Sequence, residues 1–83
     1  MITFENSALA DYLQWEKEDK RIFEKINTLF TAISVNPFRG IGKPKPLKGN
    51  WAGYWSRRIT KEHRLIYKVF PNHILITSCK DHY

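Results

Sequence analysis

The stretch "GYWSRRITKEHRLIYKVFPNHILITSC", residues 53–79, decides the fold. Three runs rich in β-branched and aromatic residues, at 53–59, 63–70 and 73–79, are separated by "TKE" and "PN". Such short polar separators suit antiparallel hairpins. Alternation along the middle run puts Leu65, Tyr67 and Val69 on one face and Arg64, Ile66 and Lys68 on the other. The first face is expected to take helices. The second is too basic for a core and points to a ligand. In the last run Ile74, Leu75 and Ile76 supply apolar groups to both faces, so this strand is expected inside the sheet.

Upstream, "ITF" at 2–4 is a short strand candidate, and Asn6 or Ser7 is placed to cap a helix. Leu9, Tyr12 and Leu13 follow at helical spacing, and Asp19 marks either a second cap or a bend. Ile22, Phe23, Ile26, Leu29, Phe30 and Ile33 then form an apolar stripe with charged residues mostly outside it. Pro37 ends the helix, because proline lacks an N–H and disfavours helical geometry at Asn36. The expected fold class is α+β: two N-terminal helices packed on one side of a twisted, mainly antiparallel β-sheet, in a single domain over residues 1–83.

The composition bounds the function. Eighty-three residues, 42% hydrophobic and 14% aromatic, suffice for one core and argue against disorder. At this size a partner or a dimer often adds stability. The net charge of +6 is unevenly spread: residues 1–38 carry four Lys/Arg against six Asp/Glu, residues 39–83 ten against two. That concentration favours a polyanionic partner, with a basic solubilising surface as the other reading. A single cysteine, Cys79, excludes an internal disulfide and suits a reducing compartment. No export signal and no apolar run near 18 residues is visible, so a soluble, cytoplasmic protein without a membrane partner is expected. Three scattered histidines and one cysteine match no zinc spacing, and "GIGKPK" is no phosphate-cradling loop, so neither metal nor cofactor is expected.

Between helices and strands lies "GKPKPLKGN", residues 42–50, with three lysines, two prolines and no acid. The residues able to carry chemistry are Lys45, Lys48, Arg57, Arg58, Arg64, His82 and Tyr83. If "TKE" is a three-residue hairpin loop, Ile59 faces His63 and Arg58 lies directly opposite Arg64. Facing guanidinium groups need an anion between them, for which phosphate oxygens suit their forked donors, or else an acid such as Glu62 or Asp81. His82 has the side chain best fitted to exchange protons near neutrality, although composition alone reads "KDHY" as a frayed tail. His63 and His73, at strand starts, read as surface histidines. Trp51, Tyr54 and Trp55 lie beside the cations and could stack on bases, but packing is the plainer reading for Trp55.

"DYLQWEKEDKRIFEKIN" (11–27), "NPFRGIGKPKPLKGNWAGYWSRRITKEHRLIY" (36–67) and "KDHY" (80–83) resemble the YoeB toxins of the RelE/ParE superfamily along nearly the whole chain. The resemblance implies the RelE-like microbial RNase fold and a bacterial toxin that cuts mRNA in the ribosomal A site. It also implies a YefM-type antitoxin, the 70S ribosome and mRNA as partners, operator DNA bound through the toxin–antitoxin complex, and a homodimer. By position, Arg64 would stabilise charge on the scissile phosphate and His82 would protonate the departing 5′ oxygen. Lys48 and Arg58 would hold the RNA backbone, with Arg57 and Lys43 grouped beside them, and Tyr83 would order the site. The paired arginines and the "HY" ending belong to the nuclease side of the superfamily rather than to its gyrase-poisoning branch.

One position departs from the motif. Where the family has a glutamate as general base between two prolines, this chain has Lys45. A protonated amine has no lone pair with which to take a proton. Three accounts stay open: a substitution that tames a lethal toxin, a natural change in a weakened member, or a lysine that stabilises the phosphorane while water or another group takes the proton. A catalytically silent member, acting as an antitoxin- and ribosome-binding module and operon co-repressor, is the alternative function.

Overall fold

The computed structural model describes residues 1–81; His82 and Tyr83 lie outside the described residues. The chain runs β1 (Ile2–Phe4), α1 (Asn6–Glu18), α2 (Lys20–Val35), β2 (Lys45–Pro46), a 3₁₀ turn (Gly49–Trp51), β3 (Tyr54–Arg58), β4 (Arg64–Phe70) and β5 (His73–Ser78). The five strands form one sheet in the order β1-β5-β4-β3-β2. β1 pairs parallel to β5, and every other pairing is antiparallel. The fold is thus α+β with a mixed sheet, and β5 is interior as its two-faced apolar pattern predicts.

Two local expectations are corrected in the first helix. Its cap is Glu5, with no side-chain hydrogen bond, rather than Asn6 or Ser7. The Glu5 N–H donates to the Ile76 carbonyl at 2.9 Å, so strand pairing keeps the chain extended up to the residue before the helix. The buried face of α1 is Ala8 and Trp15, with Tyr12 half-buried, whereas Leu9 and Leu13 are exposed. Asp19 does two jobs. Its N–H closes α1 on the Trp15 carbonyl, and its carboxylate accepts from the Arg21 and Ile22 N–H groups that begin α2. Ile26, Leu29 and Ile33 of α2 are fully buried against Leu65, Tyr67, Ile74 and Ile76 of the sheet, each such side chain contributing about 1.5–3 kcal/mol.

The helices cover one face only. On the other face Ile66, expected in a basic surface, is 2% exposed, and Leu47 is 6% exposed. Neither belongs to the helix-side cluster, so the open face has a small apolar seam of its own. Part of the basic connection is also strand: Lys45 pairs with Ser56 and Pro46 with Trp55. A proline is tolerated there because β2 is an edge strand.

The largest correction concerns Arg57, grouped from the sequence with RNA-binding residues. Register places it opposite Leu65, on the helix side, where it is 0% exposed. Its Nε donates to the Tyr67 hydroxyl at 3.1 Å, Nη1 to the Ile41 carbonyl at 3.0 Å, and Nη2 to the carbonyls of Asn36 and Arg39 at 2.6 and 2.9 Å. Tyr67 passes the chain of bonds on, donating to the Pro37 carbonyl at 2.7 Å. Burial raises the Tyr67 pKa against the lowering pull of Arg57, so the phenol keeps the proton that this bond needs. The guanidinium therefore serves as a clamp that holds residues 36–41 on the sheet. Gly42, at φ +83°, completes the junction: a Cβ there would stand 2.8 Å from Leu29 Cδ2.

Replacing Arg57 with alanine orphans three carbonyls and a phenol, and is expected to cost about 3–5 kcal/mol or prevent folding. Tyr67→Phe should cost only about 1–2 kcal/mol, and urea denaturation of both variants checks the order. Cys79 provides a second test. Its thiol is buried, and burial first, then the charge of Asp11, push its pKa from 9.0 to about 12. Iodoacetamide should accordingly alkylate the folded chain about 1,000-fold more slowly than the urea-unfolded chain at pH 8. Because the folded-state value is the raised one, the stability linked to this thiol is intact below pH 9 and is lost as pH climbs through about 12. Cys79→Ala should remove that part of the alkaline loss.

Candidate functional site

The site is built by register. Antiparallel partners point to the same face, so the Ser56–Ile66 pairing and the Lys45–Ser56 pairing place Lys45, Ser56 and Ile66 in one row across the open face. The next row toward the β3–β4 loop is Arg58 opposite Arg64, as the three-residue loop predicts. With strands about 4.8 Å apart and about 3.4 Å per residue, Lys45 and Arg64 stand roughly 12 Å apart at their Cα atoms. Long cationic side chains at that spacing can reach one dianionic group.

Among the described residues, Arg64 pairs with no acid. Its Nη1 donates to the carbonyls of Thr60, Lys61 and His63 at 2.7, 3.2 and 3.1 Å, which draws the guanidinium over the β3–β4 loop. Its Nε and Nη2 make no hydrogen bond to any described residue. Arg58 is exposed, and among the described residues no carboxylate forms an ion pair with either arginine. The alternative of Glu62 or Asp81 compensating the two cations is not what the structure holds. Lys43, Lys45 and Lys48 are all exposed. Lys45 and Lys48 line a pocket of about 260 Å³ together with Pro46 and Leu47. Larger concavities, of about 330 and 550 Å³, lie against α2 and the β4–β5 turn, but they gather no comparable set of cations.

The tail is tied down as far as it is described. Trp15 Nε1 donates to the Cys79 carbonyl at 2.9 Å, and the Ser78 hydroxyl donates to the Lys80 carbonyl at 3.1 Å. The Arg64 N–H donates to the Asp81 carbonyl at 3.1 Å, while the Asp81 N–H donates to His63 Nδ1 at 2.9 Å. The backbone one residue before His82 is thus hydrogen-bonded to Arg64. His82 and Tyr83 themselves, both expected at the site, lie outside the described residues.

His63, read from the sequence as a surface histidine, is instead a half-buried junction between α1, β4 and the tail. Its ring stands edge-on to Trp15 with centroids 4.9 Å apart. His73, also read as a surface histidine, is likewise half-buried, stacked on Phe70 and beside Asn72 Oδ1 at 2.9 Å. Trp55 packs against the core and against Phe38, in line with its packing reading, and Trp51 stands edge-on to Tyr54. No group of three or more His, Cys, Asp or Glu that could hold a metal occurs among the described residues. Among the described residues, no helix is long and apolar enough to cross a membrane.

The fold agrees with those of known proteins. Residues 4–83 match the family model for the YoeB-like toxin of bacterial type II toxin–antitoxin systems. Toxin YoeB of Synechocystis is 50% identical over 82 residues, which is 99% of this chain and 95% of that protein. YoeB in a heterotetrameric YoeB–YefM complex from Staphylococcus aureus superposes with a TM-score of 0.93 at 51% identity, covering 100% of this chain and 97% of that one. A YoeB dimer from the same organism gives 0.92 at 52% identity, with 99% and 95% covered. The chain belongs to the YoeB-like toxins and is the toxin of a type II toxin–antitoxin system.

Proposed function

We propose that this toxin is a ribosome-dependent endoribonuclease that cuts mRNA at the A-site codon, acting in the cytoplasm as a single domain over residues 1–83. The observation that best supports the reading is the meeting of two distant parts of the chain. The Arg58–Arg64 pair has no ion pair with any acid among the described residues, and Asp81, the residue before His82, is hydrogen-bonded to Arg64. Such a site suits an anion flanked by a proton donor.

In the proposed reaction a 2′ oxygen attacks the adjacent phosphorus, and the P–O5′ bond breaks. The 2′-hydroxyl proton must leave and the 5′ oxygen must receive one, giving a 2′,3′-cyclic phosphate and a 5′-hydroxyl. His82 supplies the proton to the 5′ oxygen, and Arg64 stabilises the extra charge of the phosphorane. Lys48, Arg58 and Lys43 bind the RNA backbone, and Tyr83 orders the site. No metal or cofactor has a part in this scheme. Lys45 stands at the general-base position, where it adds positive charge but takes no proton. Its side chain shares the open face with Arg58 and Arg64, which accounts for attenuation better than for full activity.

Lys45 also favours a second reading, in which the chain binds but does not cut and serves as a co-repressor. In either case we infer a YefM-type antitoxin as partner, by likeness to the S. aureus complex, and a homodimer, by likeness to the S. aureus dimer. Operator DNA is taken to be bound through the toxin–antitoxin complex.

Primer extension on translating 70S ribosomes separates the two readings. The Lys45→Glu form should cut within A-site codons about 100- to 10,000-fold faster than the unaltered chain, and a further His82→Ala change should remove a similar factor. Equal inactivity of both forms, with ribosome binding intact, leaves only the binding module. Arg58→Ala should reduce the slope of log affinity for single-stranded RNA against log salt by about 0.7.

A further inference from the structure

We propose that His63 is a positioning residue for cleavage, its neutral imidazole being the latch that holds the tail carrying His82 against the start of β4. The inference rests on the nuclease reading and adds a residue to its machinery. The Asp81 N–H donates to Nδ1 at 2.9 Å, which requires a lone pair on Nδ1 and so puts the ring proton on Nε2. The Asp81 carboxylate lies 3.7 Å from the same nitrogen, too far to compete as a hydrogen-bond partner while the ring is neutral. The ring itself packs edge-on with Trp15, the centroids 4.9 Å apart. Trp15 also fixes Cys79 through its indole N–H, so a single α1 side chain steadies both the latch and the segment being latched.

Among the described residues, Lys80 is held by the Ser78 hydroxyl on its carbonyl and by its ammonium over the Trp15 ring, 6.0 Å from the centroid. Asp81 adopts φ +60°, a left-handed turn, and is exposed. Its two backbone bonds, to His63 Nδ1 and from the Arg64 N–H, are what orient the residue that precedes His82. Removing the imidazole takes away one of the two and frees that turn to rotate. A general acid displaced by about 1 Å can lose on the order of 100-fold in rate.

Asparagine tests the assignment because its side-chain oxygen sits where Nδ1 sits in histidine, whereas the oxygen of glutamine reaches further out. In the Lys45→Glu background, His63→Ala and His63→Gln should each lower kcat on programmed ribosomes by about 10- to 100-fold with KM unchanged. His63→Asn should restore kcat to within about threefold of the parent. Deuterium exchange at the Asp81 amide, followed by NMR on the free protein, should quicken in the alanine and glutamine variants and stay slow in the asparagine one. A purely stabilising histidine gives another pattern: activity falls only in proportion to the unfolded fraction, kcat per folded molecule is unchanged, and the proposal is overturned. Unaltered Asp81 exchange in His63→Ala overturns it as well. If the Lys45→Glu parent itself does not cut, the nuclease reading and the positioning role fall together, and the exchange data alone then judge the latch.

Discussion

The site depends on parity. The loop after β3 pairs the Ile59 N–H with the His63 carbonyl and so commits Arg58 to face Arg64. Because side chains alternate along a strand, the same commitment sends Arg57 inward and Arg58 outward. One residue more or less in that loop would reverse both, burying the outward cation and stripping the helix side of its clamp. Adjacent arginines thus have opposite fates for a purely geometric reason.

Their chemistry differs accordingly. Arg57 gives up hydration for three carbonyl dipoles and a phenol, with no carboxylate among the described residues to neutralise it. This is acceptable only because every partner is fixed by the backbone of the 36–41 segment. That segment leads through Gly42, whose carbonyl accepts from the Arg58 N–H, into Lys43 and β2. The buried guanidinium therefore anchors the segment that leads to Lys43 and to Lys45 of the edge strand. Arg58 and Arg64, by contrast, are opposed across β3 and β4 with no ion pair to an acid among the described residues, and carbonyls of the β3–β4 loop take up part of Arg64's donor capacity. On the proposed reading, an oxyanion supplies the negative charge that the described residues of this face do not.

Much of this is local and was legible. The apolar stripe of α2, the Asp19 cap, the three long strands and the Arg58–Arg64 opposition all follow from patterns a few residues long. Arg57's burial was legible too, since placing Arg58 opposite Arg64 already puts Arg57 opposite Leu65 on the apolar face. Its charge obscured that inference. Other features depend on contacts that no local pattern carries. Ile66 is buried on a face where its strand neighbours are basic, and the pairing of Lys45–Pro46 has no strand signal in a proline-flanked lysine. His63 meets Asp81 across 18 residues of chain, through a turn set by Trp15 and Cys79, so its role could not be read from a strand-start position. The helical spacing of Leu9, Tyr12 and Leu13 was real, but burial follows Ala8 and Trp15, whose partners come from the far end of the chain.

The parallel pairing of β1 with β5 brings Thr3 to Ile74, 71 positions apart. Contacts of such long sequence separation are slow to form, because a large loop must close before they are rewarded. During synthesis the first strand waits for the last one to emerge, and with it for the segment that binds Trp15 and His63. The sheet therefore closes only once β5 has left the ribosome, and a chain made only as far as β4 has no partner for its first strand.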